Sequence, residues 1–242
     1  MAKEPISVES IERFVGETAY DPYGRIRGTI VSVESDVDGV VKTITLETES
    51  KEIHFYPSEA VYINNDRVVV WPEWKVLAQK VITNYQRAIK RLKSLEDMYS
   101  RNEIPSKIYH ELRRKLDHGL SKLKEDTSRL KKMIDRRVNE IEDANLSLER
   151  AIANLKLAYL AGEIGEKAYK TAIEHLRSAK ESNTQELEDI KKVKSRIEAL
   201  ESGAHTILRE REEKTAKVEQ KKPEQPQIPT QIQPIPVKLL EG

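Results

Sequence analysis

Leu116, Leu120, Leu123, Thr127, Leu130, Ile134, Ile141, Ala144, Leu148, Ala151 and Leu155 recur at alternating intervals of three and four residues, interrupted at Arg137. That spacing keeps one stripe on one face of an α-helix, where a strand would scatter it over both faces. The stripe lasts more than five heptads, so it commits the chain to a long helix whose apolar edge needs another helix against it. A helix over 106–161 would be about 80 Å long at 1.5 Å per residue. Few compact folds accommodate such an element, and the rest of the chain has to be arranged around it.

Candidate partner helices flank it. Leu77, Val81, Tyr85, Ile89, Leu92 and Leu95 mark a helix over 73–101, and Ala172, Ile173, Leu176, Leu187, Ile190, Val193, Ile197 and Leu200 mark another over 166–214. The breaks between them are related. Tyr99, Glu103, Ile104, Lys107 and Tyr109 are matched sixty residues on by Tyr159, Glu163, Ile164, Lys167 and Tyr169. Pro105 suits an early helical position, because the amide it lacks would be unpaired there. A repeated helix–turn–helix predicts two antiparallel hairpins sharing the central helix. The first and third helices are expected to return along the first half of the central one, making a three-helix bundle near the head that thins to a two-helix stalk. A parallel dimer about the central helix is the other arrangement this pattern permits.

Residues 1–72 read differently. Ile26, Ile30, Val31 and Val33 mark one strand and Val41, Ile44 and Leu46 the next, with Asp38-Gly39 as the turn between them. Short strands follow at 52–56, 61–64 and 67–70. Asp21, Pro22, Tyr23 and Gly24 form a turn, with proline at a preset φ and glycine where φ is positive. Gly28 within a strand permits a bend. Five or six short strands in about sixty residues predict a small antiparallel β-barrel. The run from Phe14 to Val31, with its glycines, tyrosines and Asp-Pro-Tyr-Gly turn, and the segment from Pro57 to Ile63, resemble a PRC-barrel domain. That resemblance implies a head that binds partners and does not catalyse. The fold class expected for the whole is therefore α+β: a PRC-barrel-like domain over 1–72, long antiparallel helical hairpins over 73–217, and a disordered tail over 218–242.

The tail has its own chemistry. Pro229, Pro234 and Pro236 forbid helix, yet Ile228, Ile232, Ile235, Val237, Leu239 and Leu240 are too apolar for a solvated spacer. The polar run 219–227 precedes them as a tether. An extended apolar peptide of this kind is built to add a strand to a partner's sheet edge, with alternate side chains setting specificity. The docking residues expected are Ile232, Pro234, Ile235, Pro236, Val237, Lys238, Leu239 and Leu240.

Charge supplies a second candidate surface. The net charge is +1, but it is unevenly placed. Residues 1–74 hold seven Lys/Arg against fourteen Asp/Glu, residues 75–137 eighteen against eight, and residues 138–242 seventeen against nineteen. Arg113, Arg114, Lys115, Lys131, Lys132, Arg136 and Arg137 are therefore candidates for holding a polyanion, anionic lipid or DNA, or the acidic head of a neighbouring copy.

Catalytic signatures are missing from the sequence. With no cysteine, thiol chemistry, disulfides and thiolate metal sites are excluded. The segment Gly162 to Lys167 lacks the Gly-Lys-Ser/Thr ending of a phosphate loop and follows a helix, not a strand. His54, His110, His118, His175 and His205 stand apart from one another at spacings unsuited to a metal. No catalytic residue, metal or cofactor is expected. No apolar run follows Met1, and no stretch approaches the roughly 20 apolar residues of a membrane span, so the expected location is cytoplasmic or peripheral to a membrane.

A PRC-barrel head, a coiled coil and a proline-rich apolar tail in this order resemble the CdvA family of crenarchaeal cell-division proteins. The resemblance implies a non-enzymatic scaffold that self-associates into filaments at the mid-cell division band, at the membrane or the nucleoid. It also implies recruitment of an ESCRT-III homologue, CdvB, whose winged-helix domain would take the peptide at 225–240, and association with DNA. A DNA-binding, nucleoid-organising coiled-coil protein is the alternative. An RNA-processing adaptor ranks below both, since such proteins lack the long coil and the tail.

Overall fold

The computed structural model describes residues 5–64 and 66–219, with side chains as far as Thr206 apart from His205. The chain forms two units, Met1–Ala204 and His205–Gly242. The first opens with a short helix α1 (Val8–Ile11) and a 3-10 turn (Glu12–Phe14). Six strands follow: β1 (Thr18–Tyr20), β2 (Ile26–Ser35), β3 (Val41–Glu47), β4 (Ile53–Pro57), β5 (Val61–Asn64) and β6 (Arg67–Val70). Three helices complete it: α2 (Glu73–Ser100), α3 (Ser106–Leu160) and α4 (Glu166–Glu219), whose last residues belong to the second unit.

The strands form one sheet in the order β4-β3-β2-β1-β6-β5. Ile11, Phe14, Ile30, Val41, Ile44, Leu46, Val61 and Val70 make its core. The antiparallel barrel expected from the sequence needs two corrections. The sheet is open, with β4 and β5 as its unpaired edges, and β1 runs parallel to β6. The physical reason lies between those edges. Pro57 ends β4 without an amide to donate, and the 3-10 turn Ser58–Ala60 diverts the backbone before β5 begins. At Gly28, φ is +141° and an added Cβ would lie 2.5 Å from the Glu47 carbonyl oxygen. The β2–β3 crossing is therefore closer than any other residue allows.

The two interhelical turns are built alike. After α2, Asn102 has φ +57° and donates to the Tyr99 carbonyl, while the Glu103 amide donates to that of Met98. After α3, Gly162 has φ +75°, its amide donates to the Tyr159 carbonyl, and Glu163 donates to Ala158. Both are Schellman closures with a left-handed residue outside the helix. Tyr99 stacks on Tyr109 at 4.1 Å between ring centroids, and Tyr159 on Tyr169 at 4.5 Å. The sixty-residue sequence repeat is thus a repeat of turn geometry, with the tyrosine pair clamping each hairpin end.

Cross-helix pairs fix the packing. Tyr109 Oη and the Arg113 guanidinium both donate to Glu96, and Thr127 approaches Tyr85, so α2 lies antiparallel to α3. Lys180 meets Glu149, Asn183 meets Asn145, Lys194 meets Asp135 and Lys131 meets Glu201, so α4 is also antiparallel to α3. Helix α4 follows both halves of α3. Leu120, Leu123, Leu130, Ile134 and Ile141 are buried, and Ile141 is the last buried residue of α3. Beyond it the stripe continues through Leu148, Ala151 and Leu155 only half-buried, because α2 covers the other half of α3 and a two-helix hairpin encloses no third side.

Candidate functional site

The seam of α3 breaks at Arg137, and the apolar series of α4 lapses between Leu176 and Leu187. These two gaps face each other, and the head docks there. Tyr23 and Arg25 come from the turn joining β1 to β2, where the Asp21 carboxylate accepts the amides of Tyr23 and Arg25 at 2.9 Å each. Trp74 and Lys75 come from the first turn of α2, Arg137 from α3, and Asn183, Glu186 and Asp189 from one face of α4, at the spacing that stacks side chains on a helix.

Glu186 is the centre. It is wholly buried, and both carboxylate oxygens are engaged. Oε1 accepts Trp74 Nε1 at 3.1 Å and Arg137 Nε at 2.9 Å. Oε2 accepts a second Arg137 nitrogen at 2.9 Å and the Arg25 guanidinium at 2.5 Å. Arg25 also reaches Asn183 Oδ1 at 2.9 Å, and Asn183 donates to Asn145 on α3. Beside this cluster, Tyr23 Oη donates to Asp189 at 2.8 Å, Lys75 pairs with the same carboxylate, and the Ser182 hydroxyl donates to the Tyr23 carbonyl. Lys75 lies over the rings of Tyr23 and Trp71, adding cation–π contacts.

The electrostatics follow from burial and pairing. Burial alone would push the Glu186 carboxyl up, but the hydrogen bonds from Arg137 and Arg25 outweigh it and hold the pKa down at about 2. Arg137 is driven further toward the charged form, chiefly by its hydrogen bonds to Glu186. Burial, then the hydrogen bond to Asp189, raises the Tyr23 phenol and keeps it protonated. A buried, fully bonded ionic cluster adds little net stability over an apolar contact, but its geometry is unforgiving. Here it fixes where the sheet sits on the helices. Its polarity is opposite to that of the head as a whole: the acidic head docks through basic Arg25 and adjoining Lys75 onto acidic positions of α4.

The basic candidates separate into two groups. Arg113 is 5% exposed and bonded to Glu96 and Asp117, and Arg137 is consumed by Glu186. A polyanion would have to break internal ion pairs to reach either, so both are removed from the candidate surface. Lys131 lies on the surface but pairs with Glu201, and Lys115 pairs with Glu111 within α3. Arg114, Lys115, Lys132 and Arg136 are exposed. The docking residues Ile232, Pro234, Ile235, Pro236, Val237, Lys238, Leu239 and Leu240 lie outside the described residues. Among the described residues, no group of three His/Asp/Glu side chains is placed to hold a metal, and no helix is long and apolar enough to cross a membrane.

Sequence reasoning placed Arg137 in a seam interruption without seeing what the interruption was for, and it passed over Glu186, Asn183, Asp189 and Trp74. The signal that could have found them is the coincidence of the two seam gaps.

A family model described as a CdvA-like coiled-coil domain matches residues 73–222, the span that begins with the first residue of α2. Cell division protein A of Sulfolobus acidocaldarius is 39% identical over 196 residues, which cover 81% of this chain and 82% of that protein.

The chain belongs to the CdvA family.

No solved structure matches it. In this CdvA-family chain the coiled coil is a pair of antiparallel hairpins within one polypeptide, with the head docked on the middle of the shared helix.

Proposed function

We propose that this chain is a non-enzymatic cell-division scaffold that self-associates into filaments and recruits a CdvB-like ESCRT-III homologue through residues 225–240. The kinship with Cell division protein A across four-fifths of the chain carries the cell-division part of this reading. The peptide chemistry supports the recruitment part. Pro226, Pro229, Pro234 and Pro236 disfavour a helix there, and Val237 and Leu239 would fall on one face of an added strand. Display of one such peptide per subunit along a polymer would convert modest single-site affinity into strong recruitment. The assembly works at the mid-cell division band, against the membrane.

The test compares the full-length chain with a variant lacking residues 234–240, each mixed with a purified ESCRT-III homologue bearing a winged-helix domain. Co-sedimentation is expected for the first and not the second, with equal polymer in both. Recruitment that survives the deletion would overturn the reading.

Arg114, Lys115, Lys132 and Arg136 are the proposed contact with anionic lipid. Reversing all four charges to Glu should abolish flotation with anionic vesicles and leave polymerisation intact. Unchanged flotation, or lost binding to DNA alone, would contradict the lipid assignment; the latter favours the nucleoid reading. If the basic segment instead meets the acidic head of the next copy, the same reversal should abolish polymerisation, and unmodified filaments should dissolve as salt is raised.

A further inference from the structure

Along the half of α3 that α2 leaves bare, a second apolar stripe runs on the side turned away from α4. Leu146, Ala153, Leu157 and Leu160 follow at intervals of seven, four and three, with Arg150 at the intervening heptad position. Leu146 is 49% exposed, Leu157 68% and Leu160 82%. Single exposed leucines are ordinary, but three at heptad spacing on an otherwise charged helix form a coiled-coil seam lacking its other strand. They are out of phase with the Ile141–Leu148–Leu155 face that packs on α4, so the α3–α4 hairpin interface does not account for them.

Charge says what covers this stripe. At the base of the hairpin, residues 138–149 and 178–189 hold five carboxylates against Lys180, leaving aside Glu140, Glu186 and Asp189, which are paired at the junction. Toward the tip, residues 150–177 hold five Lys/Arg against three Glu. Parallel association of two hairpins would set acid against acid, whereas antiparallel association sets each basic tip on an acidic base. In an antiparallel pair centred on Ala153, Leu146 of each copy meets Leu160 of the other. Lys156 comes beside Glu149 of the second copy, which also holds Lys180 of its own chain, twice over by symmetry. The small Ala153 at the two-fold lets the helices approach closely.

We propose that this stripe is the interface at which a second copy of the chain docks, α3 against α3, antiparallel and two-fold about Ala153. The pairing is isologous and closed, so it makes dimers, and growth into a filament requires another contact. It builds on the self-association proposed above and names one of its surfaces. The two heads then sit at opposite ends of a four-helix stalk.

The chain has no cysteine, so single-cysteine variants of the full-length protein report the geometry directly. With a thiol cross-linker about 10 Å long, the spacing of packed helices, Ala153→Cys should give cross-linked dimer. Leu146→Cys alone should not, because antiparallel copies place those positions about 20 Å apart along the axis. An equal mixture of Leu146→Cys and Leu160→Cys should. Leu157→Glu should weaken dimerisation about tenfold or more, by the loss of buried leucine at two symmetric sites, with unchanged helical circular dichroism. Cross-linking of Leu146→Cys alone would establish a parallel pair and overturn the proposal. Assembly that persists with no cross-link at 153 would overturn this interface and leave self-association standing, whereas a monomer at all concentrations would overturn both.

Discussion

Replacing Glu186 with glutamine keeps the shape of the side chain and removes its charge, so it isolates the electrostatic role of the junction. The carboxylate accepts four hydrogen bonds from Trp74, Arg25 and Arg137. An amide offers one acceptor oxygen and turns an NH2 toward the remaining donors. Two routes give the size of the effect. The carboxyl pKa falls from 4.5 to about 2 on folding, which at about 1.4 kcal/mol per unit corresponds to about 3 kcal/mol at neutral pH. Removing one member of a buried ion pair costs about 3–5 kcal/mol in general. The lower end applies, because the Arg25 and Arg137 side chains remain 25% and 32% exposed and regain some hydration. The assay is equilibrium urea unfolding, since a salt denaturant would screen the interaction under test. Trp71 and Trp74 are the chain's two tryptophans and both adjoin the junction, so their fluorescence reports it while circular dichroism at 222 nm reports the helices. The midpoint should drop by about 1 M or more. A double-mutant cycle with Arg137→Met should show strong coupling. A loss under about 1 kcal/mol with native-like fluorescence would refute the reasoning, because the cluster would then be solvent-relaxed and not the element that seats the head.

The same carboxylate predicts an acid limb. Its folded pKa lies below the unfolded value, so its contribution is complete above about pH 4.5 and disappears as pH falls toward 2. Thermal melts across that window should show a slope that Glu186→Gln lacks, and parallel curves would count against the assignment. Gly28→Ala should cost roughly 1–3 kcal/mol through its positive φ, and more through the 2.5 Å approach to Glu47, read as a lowered melting temperature. Ile134→Ala, at a wholly buried seam position, should destabilise by about 2–5 kcal/mol. Leu157→Ala, on the exposed stripe, should change monomer stability by less than about 0.5 kcal/mol; equal losses at the two sites would show that the two faces of α3 are wrongly assigned.

Much of the scaffold is written locally. Heptad spacing specifies α3 because side-chain direction on a helix depends only on residue number, and the paired tyrosines, Asn102 and Gly162 specify two like turns by short-range chemistry. The strand sequence is legible for the same reason, through alternation and turn residues such as Asp21 to Gly24. What local pattern cannot express is which distant elements meet. Whether the sheet closes depends on where Pro57 and the turn after it send the backbone, so an expected barrel became an open sheet with one parallel pair. Arg113 and Arg137 look like any surface cations in sequence; only packing puts Glu96 and Glu186 beside them and removes them from a polyanion site. Glu186 is the clearest case. A glutamate among the many charges of α4 becomes the buried seat of the head because the folded chain brings Arg25, Trp74 and Arg137 to it from positions 49 to 161 residues away. Sequence by itself determined the helices, their turns and the family; tertiary structure decided where the head sits, because a buried charge is defined by the partners that three other elements bring to it.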